Sequence, residues 1–360
     1  MLSRRHFIKL AGVAVSAAAA APLSENLAVR AAALQTAGLP PASSEEAIDA
    51  DPLAILSTPP TPLGRVTMFG VDVFNQPRRN AELVRTARRD EVLVLRGQIK
   101  GDALRPHNNV WYETAEGFVY SSIVQPVNDQ KNVPAPELAK QTFWGDITVP
   151  FADTRWTPDP AGRASSRLYF GSVYRVINSS VDAAGDWWYQ LREGVAHSPG
   201  PWVRAEHLRR FDPIADLSPI APGVADKRLE INIAQQTLTA IENGKSILFT
   251  RVSTGFGKNF TPRGNYTVFR KAVGQRMIGG EGNDRYDLPG VPFPTYFTYR
   301  GIAFHGTYWH NDYGVVRSHG CINVPSDIAR WIWRWTTPVA PLEAADIRFK
   351  PGNGTPVKVI

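Results

Sequence analysis

The sequence predicts a mainly β chain of several small modules with one packed helix, and three observations carry that expectation. Short apolar runs alternate with Gly- and Pro-containing turns along most of the chain, and Gly and Pro number 29 each in 360 residues. That composition suits sheets and loops better than a helical bundle. A unit of aromatic and β-branched runs recurs after about 80 residues, the mark of a duplicated module. One stretch, residues 328–335, places Ile328, Trp331, Ile332 and Trp335 at i, i+3, i+4 and i+7, a single helical face. Apolar residues make up 43% of the chain, enough to bury real cores and to exclude global disorder.

The N-terminus reads as an address. Ser3-Arg4-Arg5-His6-Phe7-Ile8-Lys9 resembles the twin-arginine export motif of bacteria. The weakly apolar run that follows, residues 10–21, is too short to cross a bilayer as a helix. Ala19-Ala20-Ala21 and Ala31-Ala32-Ala33 are small-residue cleavage sites. Residues 1–33 are therefore expected to be a twin-arginine-type signal peptide, sending the protein to the bacterial envelope (periplasm or cell wall) with no stable membrane span after cleavage. A basic amphipathic helix or an uncleaved anchor are the alternatives. Residues 34–62, rich in Pro, Ala and Ser, read as a linker. The net charge is +7, of which Arg4, Arg5 and Lys9 contribute three. A mildly basic remainder suits polyanionic surroundings, and no Lys/Arg cluster interleaved with aromatics points to nucleic acid.

Two similar units follow. In residues 63–127, Val92-Leu93-Val94-Leu95, Val110-Trp111-Tyr112-Glu113 and Phe118-Val119-Tyr120 read as strands, with Gly117 in the turn. In residues 145–212 the counterparts are Val173-Tyr174-Arg175-Val176-Ile177, Trp187-Trp188-Tyr189-Gln190-Leu191 and Trp202-Val203. The two units resemble bacterial SH3-like domains through Gly117-Phe118-Val119 and Pro201-Trp202-Val203, and that resemblance implies two small SH3-like β-barrels. Their aromatic rings either line a wall-binding groove or fill the barrel core.

Pro213, Pro219 and Pro222 mark a hinge before a third unit, residues 226–360. Leu229, Ile231 and Ile233 alternate as in a half-buried strand. Residues 237–242 return, and Asn243-Gly244 signals a two-residue hairpin into residues 247–252. The helix is expected to begin near Pro325-Ser326-Asp327, and residues 355–360 read as a closing strand.

The chemistry concentrates in residues 305–323. His305-Gly306-Thr307-Tyr308 is followed, after a polar loop, by Arg317-Ser318-His319-Gly320-Cys321-Ile322-Asn323. Three of the seven histidines (His305, His310, His319) flank the single cysteine. One cysteine excludes an internal disulfide and a multi-thiolate zinc site. A free thiol is mostly protonated at neutral pH. An imidazole can take its proton, either during attack or in a resting thiolate–imidazolium pair. His305 can come alongside Cys321 by a strand and return, whereas His319, two residues away, points elsewhere in an extended segment. Gly320 lets the backbone approach a substrate, and N–H groups around Cys321 are candidates for an oxyanion hole. The nearest carbonyl able to orient His305 is that of Gly306. An inert buried cysteine and a three-histidine metal site are the competing readings.

The pattern His305, twelve residues, then Ser318-His319-Gly320-Cys321-Ile322-Asn323 resembles the signature of the YkuD-type L,D-transpeptidases. The resemblance spans roughly residues 226–360 and includes Thr261-Pro262 with Gly264, Pro289-Gly290-Val291-Pro292, and Gly354-Thr355-Pro356-Val357. It implies a β-rich catalytic domain with a helix on the sheet. Cys321 would be the acylated nucleophile, His305 the base and the Gly306 carbonyl its orienter. Ser318, His319, Gly320, Asn323 and Tyr308 would support the loop or the substrate. Arg317 would pair with a substrate carboxylate, unless it is simply solvated. Residues 279–282 and 286–294 would form a flexible cap. The implied partners are peptidoglycan stem peptides, donor and acceptor, with no metal or organic cofactor. The implied reaction cleaves the bond between an L-centre and D-Ala in a tetrapeptide stem and passes the acyl group to an amine, giving a 3→3 cross-link. An L,D-carboxypeptidase, a D-amino-acid exchange enzyme on the same thioester, and a non-enzymatic wall-binding protein are the alternatives.

Overall fold

A computed structural model describes residues 62–360 except 140, 193–199, 342–345 and 351. The expected signal peptide, and all of the expected linker but residue 62, lie outside the described residues. The chain is mainly β, as expected, and one helix longer than a single turn, Ser326–Trp335, is present among the described residues. No described helix is long and apolar enough to cross a membrane.

The first module opens with the strand Leu63–Val66. That strand lies between Val92–Val94 and Val124–Val127, facing a five-stranded sheet. Val66, Val71, Val73, Leu93, Tyr112 and Val119 fill the space between. In the second module Phe143 and Trp144, just ahead of residue 145, pair with Val176 and Arg175. Its seven strands form one sheet. The repeat is visible in the backbone. Phe118–Tyr120 leads through a 3-10 turn at Ser121–Ile123 into Val124–Val127. Trp202–Arg204 leads through Ala205–His207 into Leu208–Arg210. The hydrogen-bonded strand order is open in both modules, so among the described residues they are sheets rather than closed barrels. Most of the aromatic rings are core: Trp111, Tyr112, Trp188 and Tyr189 are buried, while Trp187 and Trp156 reach solvent.

The third unit stacks two five-stranded sheets. In the first, Lys227–Asn232 is central, with Thr237–Glu242 on one side and the C-terminal Pro356–Val359 on the other. The turn joining Thr237–Glu242 to Lys245–Arg251 has Asn243 and Gly244 at positive φ, the geometry their pairing predicts. The closing strand runs parallel to Lys227–Asn232, with Leu229 opposite Val357. The second sheet places Ile322–Val324 beside Ala303–Gly306, also parallel, which the long connection through residues 307–321 allows, and Ser326–Trp335 packs on Ala303–Gly306. Leu229, Ile231, Phe304, Ile322, Val324, Ile328, Trp331 and Trp335 share one core.

The helix is buried on more than the face its period marks. Trp333 is also buried, against Phe293, which stacks on Phe211 at 5.7 Å. The segment expected to be a hinge supplies the cover. Leu217 enters the core of the third unit, Asp216 pairs with both Arg209 and Arg330, and Arg334 donates to the Ser218 carbonyl. Trp144 and Val173 of the second module belong to that same core. Residues 213–223 are therefore a bolted joint: the sequence shows their prolines but not the apolar surface that captures them.

Candidate active site

The expected base, His305, lies on the strand Ala303–Gly306, and the expected nucleophile, Cys321, immediately precedes its neighbour Ile322–Val324. In the parallel pair, Phe304 lies opposite Ile322 and His305 opposite Asn323. Paired residues share a sheet face, and so do residues two apart. Asn323 therefore shares the His305 face, and Cys321 lies two residues before it, just ahead of the strand Ile322–Val324. Large buried side chains fill the other face, Phe304, Ile322 and Val324.

His305 is buried, and its Nδ1 lies 3.1 Å from the Gly306 carbonyl. A carbonyl only accepts, so Nδ1 carries the proton and the neutral ring keeps its lone pair on Nε2. Burial pulls the His305 pKa down to about 4, against the opposing pull of the Gly306 bond. The Cys321 thiol is half-buried, donates to the Gly301 carbonyl at 3.7 Å, and is pushed up to about 11 by desolvation. The Ala303 N–H opposes that rise. Both groups are therefore neutral near pH 7.

The loop before Cys321 is fixed by its own hydroxyls. Ser318 Oγ donates to the Cys321 carbonyl at 2.5 Å and accepts from Gly320 N at 3.1 Å. Thr261 Oγ1 donates to the Gly320 carbonyl at 2.8 Å and accepts from Gly255 N at 2.9 Å. Gly320 has φ +112°, a conformation side chains rarely adopt. Its N–H is committed to Ser318, so the described geometry gives Gly320 a turn-forming rather than an oxyanion-binding role. Thr261 stands in the Thr-Pro-x-Gly segment of the sequence; its bond to the nucleophile loop is a tertiary fact no spacing reveals.

The remaining candidates divide. His319 Nε2 meets Asp284 Oδ1 at 2.9 Å, and its ring lies 4.7 Å from that of Tyr286. Asp284 lies in the turn joining Gly274–Gly279 to Tyr286–Pro292 and Tyr286 opens the second of those strands, so this hairpin, part of the expected cap, touches the loop before Cys321. Its base is not loose: a Cβ on Gly274 would come 2.6 Å from the Val173 carbonyl, and one on Gly290 would come 2.3 Å from the Tyr174 ring. The second module thus supports the cap. Desolvation, and then the proximity of Cys321, raises the Tyr286 hydroxyl pKa.

Arg317 is neither solvated nor turned toward a substrate. It pairs with the buried carboxylate of Asp312. Tyr308 is buried too: its hydroxyl donates to the Pro289 carbonyl at 2.6 Å and its ring stacks on Tyr169 at 5.5 Å. Asn323 points inward, where its amide Nδ2 lies 2.9 Å from His310 Nε2. The three histidines go to three different partners, and among the described residues no three His, Cys, Asp or Glu side chains gather as metal ligands would. Asp284 and Asp312 carry no sequence signal; both are isolated carboxylates in loops.

Comparison with known proteins gives one family. The YkuD family model, the L,D-transpeptidase catalytic domain, matches residues 226–359. No curated protein matches the chain. Among solved structures, the Ldtfm–avibactam carbamoyl enzyme is 26% identical, with 38% of this chain and 49% of that one covered at a TM-score of 0.30. The chain thus spans about half the length of that relative. The catalytic domain of the E. faecium L,D-transpeptidase is 23% identical, covering 38% and 98%, with a TM-score of 0.30. The L,D-transpeptidase from Mycobacterium smegmatis is 19% identical, covering 48% and 90%, with a TM-score of 0.31.

Proposed function

We propose that residues 226–359 form an L,D-transpeptidase domain that remodels bacterial peptidoglycan through a thioester on Cys321. The observation that carries this reading is that Cys321 leads directly into the strand paired with that of His305, with His305 Nδ1 tied to Gly306 so that Nε2 is left to act as base.

A neutral resting pair supports one order of events. A histidine near 4 and a thiol near 11 make a standing thiolate–imidazolium pair unfavourable in the empty site. The proton therefore moves as the sulfur attacks. Sγ bonds to the carbonyl carbon of the L-centred residue of a tetrapeptide stem while its proton passes to Nε2. The tetrahedral intermediate collapses, the C–N bond breaks, and the leaving D-Ala amine takes the proton from His305. The thioester is then attacked by a side-chain amine of a second stem, which gives its proton to Nε2. Collapse releases the 3→3 cross-link, and the proton returns to sulfur. His319, Asp284 and Tyr286 lie at the mouth formed by loop and cap, where they would contact the stem. The upstream modules and the N-terminal segment fit a protein exported to the envelope and held near the wall.

Incubating the purified chain with disaccharide-tetrapeptides and resolving the products by mass tests the reaction. A dimer lacking one alanine is expected; tripeptide alone would show water as the acceptor and refute the transferase assignment. Cys321→Ala should abolish both the product and a carbapenem mass adduct. Full turnover by that variant would remove the thioester from the mechanism. Wall binding is read by sedimenting the Cys321→Ala chain with isolated peptidoglycan, where recovery only in the supernatant would rule it out.

A further inference from the structure

The loop of residues 307–317 separates the base from the nucleophile, and its outer face lies on the first module. Asn311 Nδ2 donates to the Ser121 and Val124 carbonyls at 3.2 and 3.0 Å. Arg105 Nη2 reaches Asp312 Oδ2 at 3.2 Å. Arg65, 1% exposed, gives an Nη2 hydrogen bond to the Tyr308 carbonyl. That guanidinium is itself held by Asp90 at 3.1 Å, by Gln125 at 2.7 Å and by the Tyr169 ring at 4.3 Å. Gly314, at φ +101°, passes so close to His107 that a Cβ would come within 2.5 Å of the ring. Five independent contacts thus tie one short loop to a module outside the catalytic unit.

The inner face of the same loop touches the reacting strands. Asp312 N donates to His310 Nδ1 at 3.3 Å, and His310 Nε2 meets the Asn323 amide at 2.9 Å. Asn323 is the register partner of His305 and stands two residues beyond Cys321. Asp312 is 1% exposed and shared between Arg317 and Arg105. A buried carboxylate with two guanidinium partners holds one geometry; with one partner removed it is left short of compensating charge.

We propose that the first module completes the acyl-transfer site, with Arg105 a positioning residue that acts through Asp312, His310 and Asn323 to fix the His305 strand against Cys321. The inference rests on the reading of His305 and Cys321 as base and nucleophile. A misplacement of about 1 Å between reacting groups is enough to cost on the order of a hundredfold in rate. Loosening the loop should therefore slow acylation without altering probe affinity.

The test uses the full chain and a carbapenem, following the Cys321 adduct by intact mass over time. Arg105→Ala should lower the limiting acylation rate constant about tenfold or more while the half-saturating concentration stays put. Arg105→Lys should recover part of the rate. Asn311→Ala should slow it independently. Arg85→Ala, which removes only the two surface ion pairs with Glu91 and Glu116 in the same module, should match the parent. A folded Arg105→Ala chain acylated at the parental rate overturns the proposal. Where Arg105→Ala does not fold, parental rates for both Arg105→Lys and Asn311→Ala would support only a stability role and overturn it equally. If the parent takes no acyl group, the transpeptidase reading falls. Positioning is then judged by iodoacetamide alkylation of Cys321, where equal rates in parent and variants refute it.

Discussion

At the scale of single residues, the site is a set of neutral groups poised by burial. Because His305 is held near 4 and Cys321 near 11, neither changes protonation across the middle of the pH range. The acylation rate should be flat between about pH 6 and about pH 9, with a solvent isotope effect from the moving proton. A rate climbing tenfold per pH unit over that range would instead mark pre-formed thiolate as the reactive species. Ser318→Ala removes both an acceptor for Gly320 N and a donor to the Cys321 carbonyl. It should cost about 1–3 kcal/mol in denaturant unfolding and slow acylation. Unchanged stability and rate would show that Gly320 and Thr261 hold the turn unaided.

At the scale of elements, the parallel strands, the helix and the cap are each secured by a neighbour distant in sequence. The C-terminus of Ser326–Trp335 is capped by two buried lysines: Lys271 donates to the Trp333 and Thr336 carbonyls at 2.7 and 2.6 Å, and Lys227 to the Trp335 carbonyl at 3.0 Å. Cations at a helix C-terminus satisfy orphan carbonyls and complement the dipole. Lys271→Met should therefore destabilise by about 1–3 kcal/mol, read from the urea midpoint; a gain in stability would mean that desolvation of the ammonium outweighs its bonds. The cap depends on Gly290, which combines φ +62° with close approach to Tyr174. Gly290→Ala should lower the melting temperature and disturb the Tyr286–His319 contact, seen as altered Tyr fluorescence or ring chemical shifts.

At the scale of the whole molecule, contacts cross the boundaries between the described modules. The catalytic core contains Trp144, Val173, Phe211 and Leu217 from the second module and its joint. The first module meets the catalytic loop through Arg65, Arg105 and His107. The second module and the catalytic unit should therefore melt in a single calorimetric transition, and two well-separated transitions would contradict a shared core. Burial also depresses four histidines, His305 and His107 to about 4, His310 to about 3, and His207 in the same direction. Between the ordinary histidine value of about 6.5 and those folded values, the unfolded chain binds more protons than the folded one. Stability should fall as pH drops from about 6.5 toward about 4, by up to about 1.4 kcal/mol per pH unit for each histidine. Urea midpoints at pH 7 and pH 5 check the sign; equal midpoints would mean that the rings are not buried neutral.

Much of this protein was legible in its sequence because the signals are local. Alternating apolar runs, the Asn243-Gly244 turn, the helical face at Ile328, Trp331, Ile332 and Trp335, and the His305 to Cys321 spacing all depend on neighbours a few residues apart. Local sterics and periodicity decide such features. The repeat was readable for the same reason, since both copies carry the strand, turn and strand order in their residue types. The tertiary structure alone decided what those elements meet. It placed Pro356–Val359 parallel to Lys227–Asn232, turned Arg317 and Tyr308 from substrate contacts into anchors, and made a proline-rich hinge a captured joint. It also laid the first module on the loop between base and nucleophile. Those outcomes follow from burial and charge compensation between segments tens to hundreds of residues apart. A carboxylate such as Asp312 acquires its role only when folding removes it from water beside Arg105 and Arg317.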